Sequence, residues 1–337
     1  MEAYIGKCLD SLLIPKFDQV EVWVVNDGSK DRSSEIAHSY ADRYPDSIHV
    51  LDKPNGNYGS CINAALPLCT GRYIKVLDAD DTFDTDAFRQ FVKQLHACNE
   101  DVILTSYVEV DSDDNITKLC KNGYGVKSNV AFPMRELNKS RKKNFIQMHG
   151  LAYCNDVFKR FNYHQSEGIS YTDTQWSILP LAYCLTFKQL DTSVYRYLVG
   201  RAGQTMESTQ LSCSINQLFK MMNDLINDYQ RCILLDDCKE LCRALIKDRH
   251  SFIYKTVLRN PLPENMQTLK EYDINLQNIS SDLYDDINKI YYTPEINYPV
   301  FYHLRKQDYP VHIHLPLRYR IELSLKVRLK RVFGKLF

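Results

Sequence analysis

Two short apolar runs, each ending in acidic residues, constrain this chain more than any other feature. Val20-Glu-Val-Trp-Val-Val25 leads into Asn26-Asp27-Gly28-Ser29, and Tyr73-Ile-Lys-Val-Leu77 leads into Asp78-Ala-Asp-Asp81. A nearly continuous apolar run of this length marks a strand buried on both faces. Ile48-His-Val-Leu51 and Val102-Ile-Leu-Thr-Ser-Tyr-Val108 read as two more. Helical patterns lie between them. Residues 3–14 place Ile5, Leu9, Leu12 and Leu13 on one face, and Ser29 or Asp31 could cap a helix reaching Tyr44. Further helices are expected from Ser60 to Leu68 and, after Asp81, to about Cys98. Strands alternating with helices at this spacing predict βαβ units, hence an α/β fold with a doubly wound, mostly parallel sheet. Such sheets bind ligands at the carboxyl ends of their strands, where both acidic clusters fall.

The remaining organisation follows from length and charge. A chain of 337 residues is long enough for about two domains. From about Ser208 the pattern becomes helical, broken at Asn260-Pro-Leu-Pro263, so residues 208–315 read as a helical accessory region. Residues 316–337 differ again. Arg318, Arg320, Lys326, Arg328, Lys330, Arg331 and Lys335 face one acid, Glu322, and Ile321, Leu325, Leu329, Val332 and Leu336 recur at helical spacing. A basic amphipathic helix of this kind can lie on an anionic inner leaflet or pack on the protein with its basic face solvated. Lys+Arg and Asp+Glu both number 42, and this balance argues against nucleic acid as a partner. The 11 cysteines are odd in number and lack CxxC pairs, which fits reduced thiols in a cytoplasmic protein better than a disulfide framework.

Several elements could carry chemistry. Asp78 and Asp80, two apart where a buried strand opens into a loop, could share a hard divalent cation such as Mn²⁺ or Mg²⁺, completed by a diphosphate. The alternative is that Asp80 or Asp81 caps the next helix. Asp27 could accept from a nucleobase N–H while Gly28 lets the backbone approach closely; a plain strand-to-helix turn is the alternative. Asp111-Ser-Asp-Asp-Asn115 mimics the start of a calcium loop, but Ile116 stands where that loop needs glycine, so a polar hairpin turn is expected. Cys232, Cys238 and Cys242 read as buried small apolar side chains, and His312 and His314 lack a third ligand.

Taken together, Lys7-Cys-Leu-Asp-Ser-Leu12, Val24-Val-Asn-Asp-Gly-Ser-Lys-Asp31, Asn57-Tyr-Gly-Ser-Cys-Ile-Asn63 and Gly71-Arg-Tyr-Ile-Lys-Val-Leu-Asp-Ala-Asp-Asp81 match in order and spacing. Their combination resembles the family 2, inverting nucleotide-sugar glycosyltransferases of the GT-A fold, which build bacterial capsule, exopolysaccharide and lipopolysaccharide chains. The resemblance extends through about Thr205 and implies a catalytic domain over residues 1–207. It implies that Asp27 contacts the donor base, Asp78 the ribose or the metal shell, and Asp80 the metal. Gly28, Lys53, Asn57, Gly59 and Asn63 would line the nucleotide pocket, although Ile62 stands where the family often has arginine. It further implies that Asp173, in Ile169-Ser-Tyr-Thr-Asp173-Thr-Gln-Trp176, is the general base. Asp173 could equally cap the helix Thr174–Leu181. Arg201, in Tyr195-Arg-Tyr-Leu-Val-Gly-Arg201-Ala-Gly-Gln204-Thr205, would bind diphosphate or form a surface ion pair. His149 could join the acceptor site or the metal shell, or be structural. The implied partners are a nucleotide-sugar donor, a saccharide or polyprenyl-diphosphate-linked acceptor, and the anionic inner face of the plasma membrane.

The family also has a strand ahead of its first helix, whereas Met1-Glu-Ala-Tyr-Ile-Gly-Lys-Cys8 matches the middle of that helix region. An interior strand is thus missing from the expected sheet, which leaves its neighbours with unpaired backbone groups. The coding start is expected some 12–18 residues upstream, about one strand plus a loop. Two other classes stay open on the sequence: a non-catalytic, membrane-peripheral assembly partner, favoured by that missing strand, and a nucleotidyltransferase.

Overall fold

The computed structural model describes residues 1–121, 125–139, 146–201, 214–232, 236–259, 261–289, 298–311, 316–322 and 324. They fall into two compact units, one of Met1–Glu207 with Asp228–Leu245, the other of Ser208–Asn227 with Ile246–Phe337.

In the first unit the helix α1 (Ile5–Asp10) precedes strand β1 (Val22–Asp27), and β1 pairs in parallel with β2 (Ile48–Lys53), from Val22 opposite Ile48 to Asp27 opposite Lys53. Helix α2 (Ser33–Arg43) connects them, and α3 (Asn57–Ala65) follows. The second sheet contains β3 (Tyr73–Ile74), β4 (Thr82–Phe83), β5 (Val102–Val110), β6 (Ile116–Cys120), β7 (Ala131–Pro133), β8 (Leu151–Cys154) and β9 (Thr186–Leu198), in the order β3-β8-β5-β9-β4 with β6 added to β5 and β7 to β9. At its centre β5 runs nearly all apolar, because β8 and β9 cover its edges and packed layers cover its faces. Val102, Ile103 and Leu104 have no exposed surface. Each such side chain is worth about 1.5–3 kcal/mol of burial.

The α/β expectation holds, but the sheet is mixed rather than mostly parallel. Among the described residues β1 with β2 and β5 with β9 are parallel, while β3–β8, β4–β9, β5–β6, β5–β8 and β7–β9 are antiparallel. The sequence misled because a fully buried antiparallel strand carries the same continuous apolar run as a parallel one. The strand expected over 73–77 also shrinks to Tyr73–Ile74. Beyond Ile74 it has lost β8 on one side and faces a cavity on the other. Helix α4 (Thr85–Leu95) begins where the sequence placed a helix, but its cap is Asp84, whose carboxylate accepts from Ala87 N–H at 2.9 Å, and not Asp80 or Asp81. Between β5 and β6, Asp111 accepts from the N–H of Asp113 and Asn115 in the expected polar turn.

The second unit is helical where described, as the pattern from Ser208 implied. Pro263 opens a helix to Ile279, followed by Ser281–Asn288 and Val300–Lys306. Its core polar group is Asp273, bound at both oxygens by Arg305 (2.6 and 2.7 Å) and also by Tyr254 and Tyr309. In the first unit Cys238 turns its thiol to the Cys184 carbonyl at 3.1 Å, a buried small side chain as read from the sequence. No helix among the described residues is long and apolar enough to cross a membrane. His312 and His314, and the basic tail from Leu325, lie outside the described residues.

Candidate active site

Asp27 ends β1, and its carboxylate is held from several sides. Oδ1 accepts from Lys53 Nζ at 2.6 Å and from Gly56 N–H at 2.9 Å, and Oδ2 accepts from the Asn55 amide at 3.1 Å. Burial acts to raise its pKa, but Lys53 and the Gly56 N–H outweigh it and the net shift is downward. Lys53 sits at the end of β2, also donating to Ser60 Oγ (2.7 Å) and the Pro54 carbonyl (2.8 Å). Gly28 has φ +71°, and a Cβ there would stand 3.0 Å from the Asn55 nitrogen, so both the turn and the close approach require glycine.

Asn57, at φ +64°, opens α3. Gly59 and Asn63 are committed to packing: a Cβ on Gly59 would lie 2.0 Å from the Ser166 carbonyl oxygen. Asn63 donates to the Gln165 carbonyl and to Glu167, and accepts from Gln165 N–H, all at 2.8 Å. These contacts seat the 165–168 loop on α3 and, with it, the start of α7 (Asp173–Ile178).

The second cluster follows β3. Asp78 is half-buried at the cavity wall, and its pKa is raised first by burial and then by Asp81, Asp80 and Asp173. Tyr58, a residue the sequence reading left unassigned, is also raised by burial and by the charges of Asp78 and Asp173. Asp173 therefore lies within electrostatic range of Asp78 and Tyr58, although it stands 95 residues beyond the first and 115 beyond the second. It is the first residue of α7, with Thr172 at the capping position, so the capping alternative falls away. Asp81 accepts from the Tyr195 hydroxyl (2.6 Å) and the Leu198 N–H (2.7 Å), tying the turn to β9; burial raises its pKa to about 7. Asp80 accepts from Arg201 through Nε at 2.9 Å and Nη2 at 2.7 Å. That places Arg201 on a carboxylate at the site's edge.

His149 is buried between three tyrosine rings, 4.9 Å from Tyr107, 4.7 Å from Tyr195 and 4.6 Å from Tyr197. Its carbonyl accepts from Lys75 Nζ at 2.6 Å, and burial lowers the pKa of that lysine to about 7. Lys75 was legible only as one polar letter inside an apolar strand. Among the described residues no three Asp, Glu, His or Cys side chains are already gathered on a common point. The chemistry of the donor set does fit a divalent cation. Asp78 and Asp80 offer hard carboxylate oxygens at the site, and the charges of Asp81, Asp80 and Asp173, after burial, raise the pKa of Asp78.

A mixed α/β sheet carrying paired acids beyond a short strand, with a third acid brought within electrostatic range by a later helix, is an arrangement of the GT-A fold class. Residues 2–161 match the model of the Glycosyl transferase family 2, and the chain carries a family 2 domain. It is 26% identical over 201 residues to the uncharacterized glycosyltransferase EpsJ of Bacillus subtilis, covering 58% of each chain. It is 45% identical over 91 residues to the uncharacterized glycosyltransferase MG025 homolog of Mycoplasma pneumoniae, covering 26% of this chain and 30% of the relative. The chain thus spans less than two thirds of the length of these curated relatives. In fold it resembles S. aureus TarS 1-349 solved with UDP-GlcNAc, at TM-score 0.66 and 17% identity, covering 91% of this chain and 85% of that one.

Proposed function

We propose that the protein is an inverting glycosyltransferase that moves a sugar from a nucleotide donor, UDP-linked, to a growing cell-surface saccharide. Residues 1–207 would carry catalysis, 208–315 would be accessory, and 316–337 would rest on the anionic inner face of the plasma membrane. The observation that carries the reading is the electrostatic coupling of Asp78 with Asp80, Asp81 and Asp173 inside a family 2 domain. The UDP-GlcNAc complex of the TarS neighbour supports a UDP donor.

An inverting transfer is one displacement, in which the acceptor hydroxyl must lose its proton as it attacks the anomeric carbon. Asp173 takes that proton. Its place at the start of α7, supported through the Asn63 and Gly59 contacts of the 165–168 loop, keeps Asp173 within electrostatic range of Asp78 and Tyr58. A positioned base of this kind is worth about 10²–10⁴ in rate. Asp27, oriented by Lys53 and Gly56, accepts from the donor base. Asp80 and Asp78 would hold Mn²⁺ or Mg²⁺, which when bound supplies positive charge against the leaving diphosphate. Arg201, bidentate by nature, exchanges Asp80 for diphosphate oxygens when donor enters. His149 borders the acceptor side.

Release of UDP from UDP-GlcNAc in Mn²⁺ tests this. Asp80→Ala should fall to background. Asp173→Asn should bind UDP as wild type does while losing about 10²–10⁴ in transfer. Equal turnover in wild type and Asp80→Ala would remove the enzyme reading, and equal loss of UDP affinity in Asp173→Asn would make that residue structural.

A further inference from the structure

The chain approaches Asp173 through two turns of positive φ, Gly168 at +73° and Tyr171 at +67°. Glycine adopts that conformation freely, but a bulky aromatic residue holds it only where its surroundings impose it. Thr172, Thr174 and Gln175, on either side of Asp173, are buried. The backbone that presents Asp173 is therefore set from inside the first unit.

Gln165 supplies the hold. Its side chain has no exposed surface. Nε2 donates to the Thr172 carbonyl at 2.7 Å and to Thr172 Oγ1 at 3.0 Å, so both amide hydrogens go to the residue just ahead of Asp173. Oε1 accepts from the Tyr163 hydroxyl at 2.9 Å. The same Thr172 carbonyl accepts from Gln175 N–H at 2.9 Å and from Trp176 N–H at 3.4 Å, in the first turn of α7. In return Gln175 Oε1 accepts from Ser166 N–H at 2.9 Å. Two carboxamides thus clamp residues 165–166 to residues 172–175.

The far side of the clamp reaches the other end of the cleft. Gly168 N–H donates to the Gly56 carbonyl at 2.8 Å, and Gly56 N–H is the group that donates to Asp27 Oδ1. Gly56 therefore touches the Asp27 carboxylate with its amide and the 165–168 loop with its carbonyl. Asp27 and Asp173, 146 residues apart, are joined through Gly56, that loop and the Gln165 carboxamide. A carboxylate that removes a proton must stand within hydrogen-bond reach of it, and a misplacement of about 1 Å can cost about 10² in rate.

We propose that Gln165 is a positioning residue for transfer: from a fully buried place it pins Thr172, keeps the positive-φ turn at Tyr171 and so sets the Asp173 carboxylate. The inference rests on the reading of Asp173 as the base. Leucine at 165 would keep the bulk and remove both donors.

The test compares wild type with Gln165→Leu, Thr172→Val, Asp173→Asn and the double variant of Gln165→Leu with Asp173→Asn. Hydrogen exchange at single amides, UDP affinity in Mn²⁺ and UDP release from UDP-GlcNAc in Mn²⁺ are read on each. In Gln165→Leu the Gln175 and Trp176 amides should exchange about tenfold faster, while Leu179, whose N–H bonds the Gln175 carbonyl, stays as in wild type. UDP affinity should hold within about twofold while turnover falls about 10- to 100-fold. Thr172→Val loses only the Oγ1 bond and should shift both readings the same way by less; it carries the test if Gln165→Leu does not fold. In the Asp173→Asn background Gln165→Leu should lower turnover no further, because the group it positions is gone. Unchanged exchange at Gln175 and Trp176 would overturn the inference. So would an equal loss of turnover in both backgrounds, or a loss of UDP affinity as large as the loss of turnover. If Asp173→Asn alone turns over like wild type, the base reading itself falls and this inference with it.

Discussion

Each unit buries carboxylate, one acid in the second unit and several in the first, and the two sites are balanced in opposite ways. In the second unit Asp273 meets Arg305 at both oxygens and two tyrosine hydroxyls besides, while the guanidinium lies 3.5 Å over the Tyr284 ring. Burial there is met by full pairing. In the first unit Asp78, Asp80, Asp81 and Asp173 crowd together, Arg201 pairs with Asp80, and Asp78 is pushed up by burial and by its own neighbours. A matched buried pair holds a fold in one arrangement. A buried excess of one sign leaves energy to be recovered when a ligand of the other sign arrives, and such excess marks a functional cleft.

The largest effect should come from breaking the matched pair. Arg305→Met leaves Asp273 charged and enclosed, and should cost about 3–5 kcal/mol in urea unfolding of the second-unit signal. A loss under 1 kcal/mol would show that Tyr254 and Tyr309 alone suffice. Next comes acid. His250 is buried with its ring on the Tyr272 hydroxyl at 2.6 Å, and burial lowers its pKa from 6.5 to about 4. A lowered histidine pKa means that the unfolded chain binds the proton more readily. The stability it contributes is whole above pH 6.5 and is lost as pH falls to about 4, up to roughly 3 kcal/mol. His250→Leu should flatten the unfolding midpoint across that window; an unchanged slope would place the acid sensitivity elsewhere. Smaller still, Gly59→Ala drives a methyl into the Ser166 carbonyl and should cost about 1–3 kcal/mol, lowering transfer through the displaced 165–168 loop more than it lowers UDP affinity. Equal loss of both would make Gly59 a pocket residue.

How much of this was legible follows from where each signal lives. Asp27-Gly28 and Asp78-Ala-Asp80 each follow an apolar run in the sequence, so a local pattern of apolar run, then acid, locates them without any knowledge of packing. For Asn63 the sequence offered a pocket role and missed that its amide is spent on Gln165 and Glu167, some hundred residues on, because no local window contains that contact. Tyr58 and Lys75 were passed over for a related reason. A tyrosine or a lysine inside an apolar segment acquires chemistry only through what surrounds it, here Asp78 with Asp173 for one and a dry wall with two carbonyls for the other. The mixed sheet escaped because strand direction is set by connections, and a buried run of valine and isoleucine reads the same either way.

The sharpest form of the comparison sets the smallest expected effect beside a large one: the same substitution made once in each unit. Asp273→Asn removes a charge that Arg305 requires and leaves the guanidinium buried, so it should lose about 3–5 kcal/mol. Asp78→Asn removes a charge that burial and three neighbouring carboxyls already oppose. Asparagine has nearly the same shape and carries no charge to bury, so Asp78→Asn should leave stability within about 1 kcal/mol of wild type, on the stabilising side, in buffer free of divalent ions. Urea midpoints of the two variants in one buffer decide it. Comparable losses in both would mean that the first-unit acids are as structural as Asp273, and the cleft would then need another explanation for its crowding.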